Sequence, residues 1–362
     1  MNTYTIYFQP RGELATWPLA SDTLFGAVCW GIRILGLMND QQLTEWLDNQ
    51  KNTPKFAFSH AFPSFQKYKG WLRFYPRPAN FHPLFGDFDT LALKWQQSKT
   101  LSLKAAKADV SSAGKKFKRL GYITESVFID FVEGKLKGID GLHSVLFENN
   151  DYSVKAGAMC TTAEAKLVPE KLFVAEAMQH NQIDRMAGGT VEGMLFYREE
   201  TFFAPGVGLW ALLRAEENDF NNYLQPALHF LSDTGFGADR TSGKGQFEIT
   251  TQPSSILPHS QTPTAMMTLS HYLPISDELD IQGTPLVYTL KTLRPKREQR
   301  YLRVIAFNQK STPVYKQALR VFEPGSIFPL KARKEIYGRL ARLTPENQEP
   351  IYQSGAALMI YL

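Results

Sequence analysis

Four glycines and two cations fall within twelve residues at Thr234-Gly235-Phe236-Gly237-Ala238-Asp239-Arg240-Thr241-Ser242-Gly243-Lys244-Gly245, ahead of the strand-like Gln246–Thr250. Glycine lets the backbone take positive φ and removes side chains that would hold a polyanion away. Successive bare N–H groups can then point at phosphate oxygens. Arg240 and Lys244 add charge-assisted contacts, and Ser242 a hydroxyl. The spacing is not that of a nucleotide-binding P-loop. Ala238 stands where the first Gly is needed, and Gly245 follows the Lys where Ser or Thr would be. It is not GxGxxG either, because Arg240 follows Gly235 and Gly237 where the third Gly belongs. The same residues also suit a plain glycine turn between a helix and a strand.

Lys94 to Arg119 is a second cationic segment, with eight Lys or Arg against the single acid Asp109. Gly114 among Ser and Ala residues suggests flexibility. The two readings are a solvated loop and a mobile basic arm over RNA phosphates.

Residues that could act as general acid, general base or metal ligand are sparse. Metal-free cleavage uses a group near neutral pKa, usually His. The seven histidines are His60, His82, His143, His180, His229, His259 and His271, and none lies in the glycine loop. His60 follows a strand-like segment, where a lone His is more often structural. His229, in the apolar Pro226–Leu231, reads as packed. Asp87 and Asp89 have DxD spacing for Mg²⁺, yet Gly86 and Pro83 favour a turn, where Asp is common anyway. Asp22 reads as a helix cap. Glu199-Glu200 and Glu216-Glu217 read as solvated surface pairs.

The elements that must position these residues alternate strand and helix. Tyr4–Phe8 is β-branched and aromatic, hence a strand. Ser21 or Asp22 then caps a helix whose Leu24, Phe25, Val28, Ile32 and Leu35 recur at helical spacing, with Gly36 as its stop. A short helix begins near Asp40, and strand-like pieces follow at Lys55–Ser59 and Trp71–Tyr75. Strand, helix, strands is how a ferredoxin-like unit begins. The Pro-, Ser- and Thr-rich Thr250–Thr264 reads as a linker. Beyond it, Met266–Tyr272, Pro285–Leu290, Tyr301–Phe307 and Ala356–Tyr361 are strand-like, and Lys331–Leu343 reads as a connecting helix or loop. The expectation is an α+β chain of two ferredoxin-like (RRM-like) domains, 1–250 and 265–362, joined by a linker at 251–264, with the basic insertion near 94–119.

Length and composition agree. A chain of 362 residues exceeds what one core usually serves. With 43% hydrophobic and 21% charged residues it is ordinary globular protein rather than disordered. The net charge of +5 is compatible with an anionic partner. Cys29 and Cys160 lie in no CxxC or CxxH pair, which argues against zinc and for a reducing, cytoplasmic setting. Met1–Pro10 reads as a strand rather than a secretion signal, and no apolar run approaches the roughly 20 residues of a membrane span.

The whole pattern resembles the RAMP superfamily of CRISPR RNA-binding proteins. The glycine loop is similar to their C-terminal glycine-rich loop, although Phe236 stands where that loop starts more compactly. Four further segments resemble the fourth Csm subunit of type III-A effectors. These are Ser21-Asp22-Thr23-Leu24-Phe25-Gly26-Ala27, Asn181-Gln182-Ile183-Asp184-Arg185 with Gly193-Met194-Leu195-Phe196-Tyr197, Leu269-Ser270-His271-Tyr272-Leu273-Pro274, and Pro350-Ile351-Tyr352-Gln353-Ser354-Gly355-Ala356-Ala357. Their order is the family's, and they run from residue 21 to 357.

The resemblance implies two RAMP domains, a thumb-like hairpin around Asn181–Met186 and a non-catalytic role. That role is to hold the 5′ repeat-derived handle of CRISPR RNA beside the large polymerase-cyclase subunit and the backbone RAMP subunit. Target RNA is met indirectly, and neither cofactor nor membrane is implied. The RNA-contacting positions it implies are Ser21 and Asp22; Asp184, Arg185 and Met186; and Gly235, Gly237, Arg240, Ser242, Gly243, Lys244 and Gly245. The alternative is a metal-independent CRISPR RNA processing endoribonuclease, since some RAMP proteins cleave RNA.

Overall fold

The structure, a computed structural model, describes all residues except 16–17, 68–69, 82–87, 137–150, 192, 255–256, 281, 296–314 and 345–349. His82, Phe85, Asp87, His143 and the expected strand Tyr301–Phe307 therefore lie outside the described residues.

β1 (Asn2–Pro10) is an inner strand of the first sheet, paired on both sides and buried from Tyr4 to Phe8. Tyr4, Ile6 and Phe8 face one side, and Thr5, Tyr7 and Gln9 the other. Helix α1 (Ser21–Ile34) follows and ends at Leu35 with Gly36 at φ +69, the expected stop. Its N-cap is Ala20, with no side-chain hydrogen bond, which corrects the reading of Ser21 and Asp22 as caps. Both are used elsewhere, as described below. Helix α2 (Asp40–Asp48) has a reciprocal capping box between Asn39 and Gln42.

Then come β2 (Phe56–Phe58), β3 (Phe62–Lys67), β4 (Gly70–Pro76), α3 (Phe88–Lys99), α4 (Leu103–Lys118), β5 (Tyr122–Thr124), α5 (Glu125–Val132), β6 (Tyr152–Lys155), β7 (Ala158–Thr161) and α6 (Thr162–Ala165). A long hairpin follows, β8 (Phe173–His180) and β11 (Phe196–Phe203), extended by the short pair β9 (Ile183–Asp184) and β10 (Gly189–Thr190). The unit closes with β12 (Val207–Ala215), α7 (Gln225–Thr234) and β13 (Phe247–Pro253).

Nine strands form one sheet in the order β13-β1-β12-β3-β4-β5-β7-β6, with β2 also on β12. The run β13-β1-β12-β3, with α1 after β1 and α7 before β13, is the order of a βαββαβ unit. The two helices pack close because Gly31 meets Ala227; a Cβ added at Gly31 would lie 3.0 Å from that of Ala227.

The basic segment is a helical hairpin, α3 and α4, rather than a loop. Ala and Lys favour helix. Ala106, Val110 and Gly114, four apart, form its buried stripe. Ser102 caps α4 through Oγ to the Ala105 N–H (3.2 Å). Asp109, the lone acid, accepts from Trp95 Nε1 at 3.1 Å and ties the helices together. Asp89 sits in the first turn of α3 and pairs with Lys107 at 2.8 Å.

After the first unit come β14 (Ala265–Thr268), β15 (Leu290–Leu293), β16 (Leu319–Phe322), β17 (Ile327–Pro329), β18 (Leu340–Arg342), β19 (Tyr352–Ser354) and β20 (Met359–Tyr361). They build a three-stranded sheet β17-β14-β20 and the pairs β15–β16 and β18–β19. Among the described residues after 265 there is no helix. The second ferredoxin-like domain expected from the sequence is therefore present there only as small sheets, and Lys331–Leu343 ends in a strand. The linker is shorter than expected. β13 keeps Thr251–Pro253 in the first sheet, and the N–H of Ser260 and of Thr264 bond to Tyr361 and Leu362. Proline tolerates this placement at the end of an edge strand. The halves share one core, in which Met267, Leu269, Ile327, Leu358 and Ile360 join the cluster of Ile6, Phe58 and Leu212.

Candidate nucleic-acid interface

The glycine loop runs from the end of α7 to the start of β13. Its two rims are fixed by the chain itself. Phe236 is 2% exposed and inserts between Phe8 and Phe247, with ring centroids 6.0 and 5.6 Å away. That explains the phenylalanine between glycines: it anchors the loop in the core. Gly235 (φ +67) and Gly245 (φ +66) close the neck, where the Phe236 N–H bonds to the Gly245 carbonyl at 3.1 Å. A Cβ on Gly245 would fall 2.1 Å from the Phe236 oxygen, so only glycine fits.

The tip differs. Gly237 (φ +94) and Gly243 (φ +90) are exposed, and nothing lies within 4 Å of where a Cβ would stand. Between them Asp239 takes a left-handed conformation (φ 57), and its carbonyl accepts from the Ser242 N–H and Oγ. Arg240 makes no side-chain hydrogen bond or ion pair among the described residues and is partly exposed.

Lys244 turns inward. Its Nζ lies 2.5 Å from Glu200 and 2.9 Å from Glu13, with the side chain 7% exposed. Burial pushes its pKa down, but the hydrogen bonds to Glu200 and Glu13 outweigh that and the net shift is upward. The same contact holds the Glu13 carboxyl below its ordinary range. Lys244, expected to reach phosphate, is thus held by the chain's own carboxylates. Glu200, expected as surface, is 2% exposed and also meets His180 Nε2 at 2.7 Å. Adjacent side chains of a strand point to opposite faces, so Glu199 and Glu200 need not share one environment. Glu13 and Glu200 lie far from residue 244 in sequence, so no local motif could pair them. A second ion pair, Arg198 to Asp239, ties β11 to the loop.

The hairpin β8–β11 leads to the tip predicted as a thumb. Asp184 Oδ1 accepts from the Met186 N–H (2.8 Å) and the Ala187 N–H (3.3 Å), ordering its own turn. Arg185 is exposed, and Met186 is 97% exposed. Ile183, Leu195 and Tyr197 are exposed as well, so the hairpin's outer part is apolar.

Ser21 and Asp22 are not brought to this loop. They lie where the two halves meet. Ser21 Oγ accepts from the His271 N–H (3.0 Å), and the Ser21 N–H donates to His60 Nδ1 (3.2 Å). Asp22 Oδ1 lies 2.9 Å from His271 Nδ1, and its Oδ2 accepts from Gln353 Nε2 at 2.5 Å. Burial pushes the Asp22 pKa up, but the hydrogen bond and charge of His271, with His60, bring it below the ordinary value. His60 and His271 are buried, edge to face at 4.3 Å. His229, expected packed, is exposed. Among the described residues no group of three or more His, Cys, Asp or Glu is placed to hold a metal ion. No helix among them is long and apolar enough to cross a membrane.

No family model matches the chain. A curated relative, Csm4 of the CRISPR system of Thermococcus onnurineus (strain NA1), is 34% identical over 83 residues, which is 23% of this chain and 28% of that protein. That match spans little more than a quarter of the relative's length. Solved structures cover the whole chain. One from a Csm3-Csm4 subcomplex of the type III-A CRISPR-Cas interference complex aligns with a TM-score of 0.62 at 15% identity, over 100% of this chain and 99% of that one. One from a Csm1-Csm4 cassette bound to AMPPNP aligns with a TM-score of 0.58 at 17% identity, over 100% and 98%. Csm4 is the component common to both, and to the curated relative.

The chain has the Csm4 fold. The resemblance read from the sequence is thereby shown at the level of the fold, and the glycine loop, the hairpin and the junction of the halves are the features to which a role must be assigned.

Proposed function

We propose that the chain is a non-catalytic, RNA-binding subunit of a type III-A CRISPR effector complex in antiviral defence. It holds the 5′ repeat-derived handle of CRISPR RNA. Its protein neighbours are the large polymerase-cyclase subunit and the backbone RAMP subunit, and target RNA is met only through the guide. The solved complexes in which similar chains sit with Csm1 or Csm3 support the partners.

One observation carries the RNA reading: a loop tip that is both open and fixed. Gly237 and Gly243 leave the backbone bare, Arg240 has no partner among the described residues, and the rims are held by Phe236 and Lys244. A preorganised backbone cradle with one free guanidinium suits a phosphate of a single strand. The exposed Lys104, Lys115 and Arg119 of the helical hairpin and its flank add long-range attraction. Met186 at the thumb tip is an adaptable apolar wedge for the handle–guide junction.

The test is to sequence the 5′ ends of small RNAs that co-purify with the protein. A common repeat-derived handle is expected. A random mixture, or no RNA, overturns the reading.

A further inference from the structure

The sheet face turned away from α1 and α7 carries a pair of aromatic rings with no part in the features above. Tyr7 of β1 and Trp71 of β4 stack with centroids 4.7 Å apart and planes within 17°. Two strands separate them in the sheet, and these contribute the register pair Gly208 and Ser64, whose small side chains leave room above. Tyr7 is buried beneath the stack, at 6% exposed, while Trp71 remains partly exposed.

The rim of this pair is polar and open. Gln9, Gln66, Thr250 and Gln252 are all exposed. Gln9 Nε2 donates to Gln66 Oε1 at 3.1 Å. That bond uses one donor of Gln9 and the acceptor of Gln66. It leaves the Gln9 carbonyl oxygen and the Gln66 NH₂ without other partners among the described residues. An available carbonyl and an available amide NH₂ on the rim offer the acceptor and the donor that a nucleobase edge calls for. Of the nearby acids, Glu125 is paired with Arg73 and Glu248 is turned to Arg11 at 3.5 Å.

We propose that Trp71 on Tyr7, with Gln9 and Gln66, is a base-stacking platform for one unpaired nucleobase of a single-stranded RNA. The inference rests on the RNA reading above and deepens it. Strand β1 runs directly from the platform to the glycine loop, because the Arg11 N–H bonds to Gln246 at 2.9 Å and the Glu13 carbonyl accepts from Gly245. Tyr7 pairs with Thr250, five residues beyond Gly245 and about 17 Å along the strand, so a strand held by its phosphate at the loop reaches the platform with a base a few nucleotides away. Stacking fits any base, and the amide pair discriminates among them.

The experiment is fluorescence anisotropy of the full chain with a labelled handle-length single-stranded RNA across a salt series. Trp71→Ala is expected to weaken binding about ten- to a hundredfold with an unchanged salt slope, because no phosphate contact is lost. Trp71→Phe should keep most of the affinity. The surface double variant Gln9→Ala/Gln66→Ala should reduce base preference while the melting temperature stays at the wild-type value. It decides the matter with Trp71→Phe if Trp71→Ala fails to fold. Replacing the single base at each RNA position by an abasic site should abolish the Trp71→Ala effect at one position only. Wild-type affinity in Trp71→Ala, or in the double variant with intact base preference, overturns the platform and leaves the loop reading standing. A wild-type chain that binds no RNA at any salt sinks both.

Discussion

The Nζ of Lys244 lies 2.5 Å from Oε2 of Glu200, and both side chains are almost wholly withdrawn from water. A cation in a glycine loop is easily taken for a phosphate ligand, but here it fastens the loop to the hairpin strand β11. Removing one partner of such a pair leaves a buried, uncompensated charge, at a cost of about 3–5 kcal/mol. Lys244→Ala should therefore lower stability by that order in chemical denaturation while the salt slope of RNA binding stays unchanged. A Lys244→Ala chain of wild-type stability with a shallower salt slope would return the residue to phosphate binding.

The four glycines of the loop should divide into two classes. Gly245→Ala drives a Cβ into the Phe236 carbonyl, so it should destabilise the fold itself. Gly243→Ala meets nothing within 4 Å and should cost only the strain of φ +90, about 1 kcal/mol. RNA affinity should nevertheless fall, and further in Gly243→Val, since the side chain enters the space where a phosphate would approach. Arg240→Ala should leave the melting temperature alone and reduce the salt slope by about 0.7, the share of one phosphate contact on a single strand. Equal RNA binding by Arg240→Ala and wild type would remove the loop from the interface.

Elements with a local cause were legible in the sequence, and relationships between distant residues were not. The stop at Gly36 and the strand Tyr4–Phe8 follow from one residue's φ or from β-branched and aromatic residue types, and both stand. Charge and one glycine suggest a loop at Lys94–Arg119, yet the four-residue spacing of Ala106, Val110 and Gly114 is what its second helix buries. Asp22 had a local reading, the cap, and a stronger distant one, since His271 and Gln353 claim both its oxygens. Tertiary partners 249 and 331 residues away leave no trace in a window of sequence. Tyr7 and Trp71 were likewise hidden, because their meeting depends on strand order across β12 and β3.

The junction of the halves should make stability fall in acid. Burial, helped by the nearby charge of His271 and Lys291 and opposed by Asp22, pushes the His60 pKa well below its ordinary 6.5. The unfolded chain then binds more protons than the folded one once pH drops below 6.5, so stability declines from there downward. Asp22, with its pKa held below the ordinary 3.8, adds a further loss at lower pH. The melting temperature should be level above about pH 7 and fall progressively below it. His60→Gln, whose amide oxygen can still accept from the Ser21 N–H, should flatten the decline. An equally steep decline in that variant would place its cause elsewhere.

The chain alone should cleave no RNA. Metal-free cleavage needs a group of near-neutral pKa within reach of a 2′-hydroxyl, and the described histidines do not offer one at the loop tip. His60 accepts from the Ser21 backbone inside the domain junction. His271 is locked to Asp22 in the same place, and His180 is held on the buried Glu200. The tip itself presents glycine backbone and Arg240, which grip phosphate and activate neither water nor hydroxyl. Of the acidic pair spaced for a metal, Asp89 is paired with Lys107 in the first turn of α3. Purified protein incubated with labelled repeat RNA, with and without Mg²⁺ or Mn²⁺, should return the RNA intact. Discrete cleavage within the repeat that disappears in His60→Ala or Asp87→Ala would replace the binding role with that of a processing endoribonuclease. Cleavage that survives both substitutions would instead trace to a co-purifying nuclease, and its loss on further purification would confirm that source.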